Sequence, residues 1–225
     1  GFDAEYGDAL SAVINVISRS GGDEHEVALR LGKDDLFGGE EVDRRTDVEV
    51  TAGGPLGPQG LSYFTANHLV LSDTRWWQDA ELFFDSPIRR ELNGLAKVDF
   101  ARSPISRWTG EVLYSLSSWR DYEFSWRYNL DGLPERSRDS YRAALLYTRT
   151  LSPVTAVSAN LSAFSVRSRI GDDPLNAADI TPYNYDFYLL YVTSGRRAWW
   201  ADQQQRNYTF KADVTHQAGT GHLLK

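Results

Sequence analysis

The feature that most constrains this chain is the spacing of its turns. Short connections rich in Pro and Gly fall at Gly53-Gly54-Pro55-Leu56-Gly57-Pro58-Gln59-Gly60, Arg102-Ser103-Pro104-Ile105-Ser106, Leu151-Ser152-Pro153 and Gln217-Ala218-Gly219-Thr220-Gly221. Long, charged and aromatic connections fall at residues 36–45, 72–92, 120–138 and 169–205. Short and long alternate strictly. In an antiparallel up-and-down sheet every second connection lies at the same end, so the alternation predicts one rim of tight turns and one of long loops, the layout of an outer-membrane barrel. A Greek-key sandwich has no reason to sort its loops by parity.

The segments between the turns alternate apolar and polar residues, the signature of a strand with one greasy side. Trp108, Val112, Tyr114 and Leu116 oppose Thr109, Glu111, Ser115 and Ser117, and Tyr208, Phe210, Ala212 and Val214 oppose Thr209, Lys211, Asp213 and Thr215. Weaker versions run through Val48–Ala52, Ala96–Phe100, Tyr141–Thr148 and Val157–Ala163. Helical periodicity is hard to find, so the fold class expected is all-β, with about eight strands. No stretch reaches the roughly 18 to 20 apolar residues of a spanning helix. That excludes a helical membrane protein and leaves a barrel open, because barrel strands average out to ordinary hydropathy.

The opening stretch, GFDAEYGDALSAVINVISRSGG, supplies a more specific signal. Its elements Ala4-Glu5-Tyr6-Gly7, Val13-Ile14-Asn15-Val16-Ile17 and Ser20-Gly21 closely resemble the segment that closes the plug domain of TonB-dependent outer-membrane receptors. Further on, Thr51–Leu56 followed by Leu61–Phe64 looks like the family's first periplasmic turn and the aromatic strand after it. Tyr128–Pro134 looks like a loop element of the branch that carries a carboxypeptidase-regulatory-like domain, and Phe210–Gln217 is similar to a strand and turn entering the next hairpin.

The resemblance implies a plug end over residues 1–22, with Glu5, Tyr6, Gly7 and Asn15 in the closing motif, and the first part of a transmembrane β-barrel over residues 23–225. A transporter barrel of this kind has about 22 strands, and the chain has no Met at all, so a fragment holding a third to a half of such a barrel is expected. The function implied is energy-coupled uptake of a scarce nutrient across the bacterial outer membrane. Implied partners are a TonB-type energy-coupling protein acting on the plug region upstream, outer-membrane lipid and lipopolysaccharide, and a small-molecule or oligomeric nutrient. The rival reading is a soluble all-β carbohydrate-binding or hydrolytic domain. The two differ in one structural expectation: in the barrel, the apolar faces carrying Val112, Leu116, Tyr208, Phe210 and Val214 point outward, whereas in the soluble domain they are packed inside.

The chemistry-bearing residues give no catalytic signature. A net charge of −7 with scattered Lys and Arg argues against nucleic acid, and the absence of Cys removes thiolate metal sites and Cys nucleophiles. The acid pairs Asp34-Asp35, Glu40-Glu41 and Asp172-Asp173 lack metal-loop spacing, and His25, His68, His216 and His222 lie on separate elements. No Gly-x-Ser-x-Gly elbow occurs. No enzyme activity, cofactor or metal is therefore expected.

The aromatic residues are the best binding candidates. Trp76, Trp77, Tyr122, Trp126, Tyr183, Tyr185, Trp199 and Trp200 lie in the long connections, with Arg196 beside them. Two roles fit these rings: an interfacial girdle with loop packing, or stacking on a flat ligand for those deeper in the loops, including Tyr183, Tyr185 and Tyr188. Nearby arginines, including Arg75, Arg120, Arg127, Arg196 and Arg197, suit an anionic ligand or lipopolysaccharide phosphates equally.

Overall fold

A computed structural model describes residues 18–34, 44–57, 60–73, 88–171 and 182–218, with the backbone of 222–224. The plug-closing motif (Glu5, Tyr6, Gly7, Asn15) and Trp76 and Trp77 lie outside the described residues.

The chain folds as one antiparallel meander. Its strands are β1 (Glu26–Lys33), β2 (Thr46–Pro55), β3 (Leu61–Ser72), β4 (Arg89–Ser103), β5 (Ser106–Arg120), β6 (Glu135–Ser152), β7 (Thr155–Ile170), the small hairpin β8 (Asn184–Asp186) and β9 (Tyr191–Ser194), then β10 (Ala201–Ala218) and β11 (His222–Leu224). The main sheet has nine strands in the order β1-β2-β3-β4-β5-β6-β7-β10-β11, and β8 and β9 form a separate pair. Each strand of the main sheet therefore pairs with its sequence neighbours, the short hairpin aside. β1 and β11 are its edges, and among the described residues the sheet is open.

Loop parity follows the reading of the turns. Two-residue turns join β4 to β5 at 104–105 and β6 to β7 at 153–154, whereas 34–45, 73–88, 121–134 and 171–200 are long. Pro104 and Pro153 open the two tight turns, where a fixed φ near −65° suits the first corner position. At both turns the ladder slips, between Ala101 and Ser103 and between Thr150 and Ser152. The turns are also stitched to the next hairpin. Carbonyls of Gly60, Ile105 and Val154 accept from the backbone N–H of Ala101 (2.9 Å), Thr150 (2.9 Å) and Gln217 (2.8 Å).

The sheet's two faces differ sharply. Register places Val27, Ala52, Ala96, Val112, Ala143, Ala163 and Tyr208 in one cross-strand row, with only Thr65 polar among them. On this apolar face Leu29, Val112, Leu145, Leu161, Tyr208, Phe210 and Val214 are all exposed. Thus of the five residues named above, Tyr208 (76%), Phe210 (72%), Val214 (57%) and Val112 (44%) are open, and Leu116 is half-buried on the same face. No second layer covers it among the described residues.

The apolar band runs obliquely across the strands. One row reads Leu31, Val48, Leu69, Leu92, Leu116 and then Asp139, Arg167, Gln204. Nearer the tight turns, another reads Ser106, Arg149 and then Val157, Val214. The band thus slips toward the tight-turn rim by roughly five residues from β1 to β10. At about 3.3 Å per residue and 4.8 Å per strand, this is a tilt of about 25–30° between the strands and the normal to the band. Along β5 the band runs from Trp108 to Leu116, about 26 Å of strand.

Polar groups within the band are paired among themselves. Thr65 Oγ1 donates to the Leu95 carbonyl (2.9 Å), Asn67 Nδ2 donates to Thr65 Oγ1 (3.1 Å), and the Tyr114 hydroxyl donates to Asn67 Oδ1. Gly94 lies between Asn67 and Tyr114 in the register. A Cβ there would overlap the Tyr114 ring, so the glycine is what lets the ring lie across the strand.

The opposite face is polar and receives the incoming chain. Ser18 Oγ donates to Glu111 (2.6 Å), Lys97 Nζ donates to the Ser18 carbonyl (3.1 Å), and Arg142 pairs with Glu111 (3.1 Å). Gly21 sits so close to the Tyr63 backbone that no side chain fits. Residues 18–22 therefore enter across the polar side of β2–β5.

Candidate functional site

Among the described residues the one cluster of buried apolar side chains lies in the loops. Trp126, Leu133 and Val192 form it, with Leu130 and Tyr185 packed against them. It joins two long connections, 121–134 and 182–200, that are far apart in sequence.

Local structure explains the joint. The 121–134 connection folds into two 3-10 turns, Phe124–Trp126 and Leu130–Gly132, and the second connection supplies the β8–β9 hairpin. Two glycines allow the backbones to touch. Asn129 Nδ2 donates to the Gly195 carbonyl (2.7 Å), and the Arg197 N–H donates to the Gly132 carbonyl (2.9 Å). Gly195 has φ +86°, and a Cβ on it would strike the Pro182 carbonyl. Only glycine meets both conditions cheaply.

Arginines lock the surrounding rings. The Arg197 guanidinium lies 5.2 Å from the Trp126 ring and 4.4 Å from that of Trp199, and it pairs with Glu123. Arg127 lies 5.4, 5.2 and 5.8 Å from the rings of Phe124, Tyr128 and Tyr191. At the base of the loop Arg120 pairs with Asp131 (2.9 Å) and Arg136 with Asp121 (2.7 Å). Below the cap, Arg167 holds the Asp202 carboxylate (Nε to Oδ1, 2.9 Å). That hydrogen bond and the guanidinium charge together keep the Asp202 carboxyl below the usual carboxylate range.

The sequence candidates divide accordingly. Trp126 is 1% exposed; its ring is the anchor of the loop core and offers no face to a ligand. Tyr185 is packed against the same core, Tyr122 is half-buried at the loop's start, and Arg197 is committed to its glutamate and two indoles. Tyr183, Arg196, Trp199 and Trp200 remain exposed. Tyr183 stands 5.3 Å from Trp126, so it is a rigidly seated ring with one open side.

Of the hairpin tip, sequence reasoning named only Tyr188, as a stacking candidate. Phe187 and Tyr188 are 81% and 99% exposed, and Leu189 and Leu190 are open beside them. Asp186 builds the turn: its Oδ1 accepts from the N–H groups of Tyr188 (2.8 Å) and Leu189 (3.0 Å), and its carbonyl accepts from Leu190 (2.8 Å). Leu190 has φ +62°, a conformation Leu rarely adopts. An Asp at the head of an apolar run between Tyr185 and Tyr191 was the available signal.

Chemically, this cap can hold a ligand by stacking and hydrogen bonding. Among the described residues no group of three His, Asp or Glu side chains could hold a metal. Of the arginines named as anion receptors, Arg120, Arg127 and Arg197 position the loops, Arg196 is exposed, and Arg75 lies outside the described residues. A neutral, flat-faced ligand suits the exposed rings better than a strongly anionic one. No protein-family model, curated protein or solved structure matches the chain.

Proposed function

We propose that this chain is part of an outer-membrane β-barrel that acts as an energy-coupled receptor for a scarce nutrient, a member of the TonB-dependent class. The observation that carries the reading is the inversion of burial: the sheet leaves its apolar face open, and the buried apolar cluster sits in the loops instead. A water-soluble sheet of this length would bury one face against a second layer, whereas a barrel wall turns that face to lipid. Four further observations agree with it. Loop lengths follow parity, the apolar band is oblique to the strands as tilted barrel strands require, its polar groups on β3 and β5 are mutually bonded as hydrocarbon demands, and residues 18–22 come in over the polar side, where a plug would sit. The receptor role, as distinct from a passive pore, rests on the resemblance of residues 1–22 to the plug-closing segment.

In this reading the long loops capture the ligand on exposed rings of the cap, the plug closes the lumen, and a TonB-type protein pulling on the plug admits the ligand. No bond is made or broken. The test is topological and energetic together. An epitope inserted in the 187–190 tip should be labelled by antibody on intact cells, an epitope at 104–105 only after permeabilisation, and ligand uptake should stop when a protonophore is added. Recovery of the protein in the soluble fraction would favour the all-β carbohydrate-binding alternative.

A further inference from the structure

A charged lattice borders the apolar band on its long-loop side. Where the band ends on β6, β7 and β10, at Tyr141, Ala163 and Tyr208, the next residues on the same face are Asp139, Arg167 and Arg206, with Ser165 between Ala163 and Arg167. Arg167 stands beside Asp139 and Gln204 in the register, and Arg169 beside Asp202. The side chains interlock, the two arginine–aspartate pairs diagonally across strands and Arg206 along its own strand. Arg167 Nε donates to Asp202 Oδ1 (2.9 Å), Arg169 Nη2 to Asp139 Oδ2 (3.2 Å), and Arg206 Nη2 to Gln204 Oε1 (3.2 Å).

Three arginines here face two carboxylates, so the lattice carries an excess positive charge, and the partner of Arg206 is a neutral amide. Arg167 and Arg169 stay about half exposed, both 47%. A guanidinium has five N–H donors, and a carboxylate contact uses at most two, so outward donors remain on each. All of this sits on the band's own side, from about 7 Å beyond Tyr141 and Tyr208 at Asp139 and Arg206 to about 20 Å beyond Tyr208 at Asp202. On β10 a tyrosine ends the apolar band and an arginine follows it at once, the order of groups met on leaving hydrocarbon for a headgroup layer.

We infer that Arg167, Arg169 and Arg206 form a binding site for the phosphate groups of outer-leaflet lipid. Asp139, Asp202 and Gln204 hold the guanidiniums in a fixed array, so that their free N–H donors meet phosphate oxygens with little ordering cost. This rests on the membrane reading above and adds to it a lipid-selective surface distinct from the loop cap.

The test uses the full-length protein reconstituted in phosphatidylcholine vesicles with and without added lipid A, measuring its preference for lipid A by energy transfer from protein tryptophan to labelled lipid. Wild type should prefer lipid A. Each of Arg169→Gln and Arg206→Gln should cut that preference about fivefold, and the double variant about 25-fold, with reconstitution into phosphatidylcholine alone unchanged. If the double variant prefers lipid A as strongly as wild type while both reconstitute equally, the site is refuted and the membrane reading stands. If neither protein enters vesicles of either composition, the membrane reading fails and the site with it. Saturable binding of inorganic phosphate by wild type in phosphatidylcholine vesicles, lost in the double variant and accompanied by no preference for lipid A, would assign the lattice to free phosphate and overturn the lipid assignment.

Discussion

Placing an arginine on the apolar face is the sharpest test of what that face meets. Leu161 lies within the apolar stretch Val157–Ala163 of β7, between Leu145 on β6 and Phe210 on β10, and is 56% exposed. If the face meets water, Leu161→Arg changes stability by no more than about 0.5 kcal/mol, as exposed substitutions do. If it meets hydrocarbon, an arginine near the midplane costs about 2–4 kcal/mol, and one near the interface about 0–1 kcal/mol. The first cost is a roughly 30- to 700-fold fall in the folding constant. Val157 lies four residues away at the tight-turn border of the band, about 13 Å along the strand, and Ser162 points to the polar face. Urea unfolding of the protein in phospholipid vesicles, followed by tryptophan fluorescence, should therefore rank Leu161→Arg far below Val157→Arg, with Ser162→Arg near wild type. Equal midpoints for all three variants would refute the lipid-facing assignment and with it the barrel.

Three other outcomes follow from particular contacts. Tyr114→Phe leaves Asn67 Oδ1 without its donor and should cost about 1–3 kcal/mol in the same unfolding assay, whereas adding Asn67→Val removes the orphaned acceptor and should recover most of the loss. Trp126→Ala empties the centre of the loop core; a local penalty of about 3–5 kcal/mol should appear as rapid hydrogen exchange across 121–134 and 182–200, with the β4–β7 ladder still protected. Asp202, held ionised by Arg167, should titrate below 3.8 in carbon NMR and return toward that value in Arg167→Gln. Because its folded pKa is depressed, the pair's contribution is complete above the unfolded carboxylate pKa and is lost as pH falls through the folded one.

The sheet was legible in the sequence because its determinants are local. Pro104, Pro153 and the Gly53–Gly60 run mark turns by backbone chemistry, and Val112 or Phe210 declare a face by simple alternation. The parity of the loops then followed from counting. The cap was legible only as composition. Trp126 and Tyr183 are both loop aromatics in sequence; what makes one an anchor and the other an open ring is Val192, 66 residues from Trp126, and the contact of Gly132 with Gly195. The tilt of the apolar band was equally hidden, because it exists only after eight strands are set in register.

The unequal connections also bear on how the chain assembles. Bringing two strands together across 104–105 or 153–154 closes almost no loop, while joining β7 to β10 across 171–200 costs about 2 kcal/mol more in chain entropy. The β4–β5 and β6–β7 pairs are thus the contacts of lowest order and form as ready-made hairpins within microseconds. Pairing between hairpins comes later, and the union of 121–134 with 182–200 waits on β10. The unit that a folding catalyst or a chaperone would meet is the two-stranded hairpin.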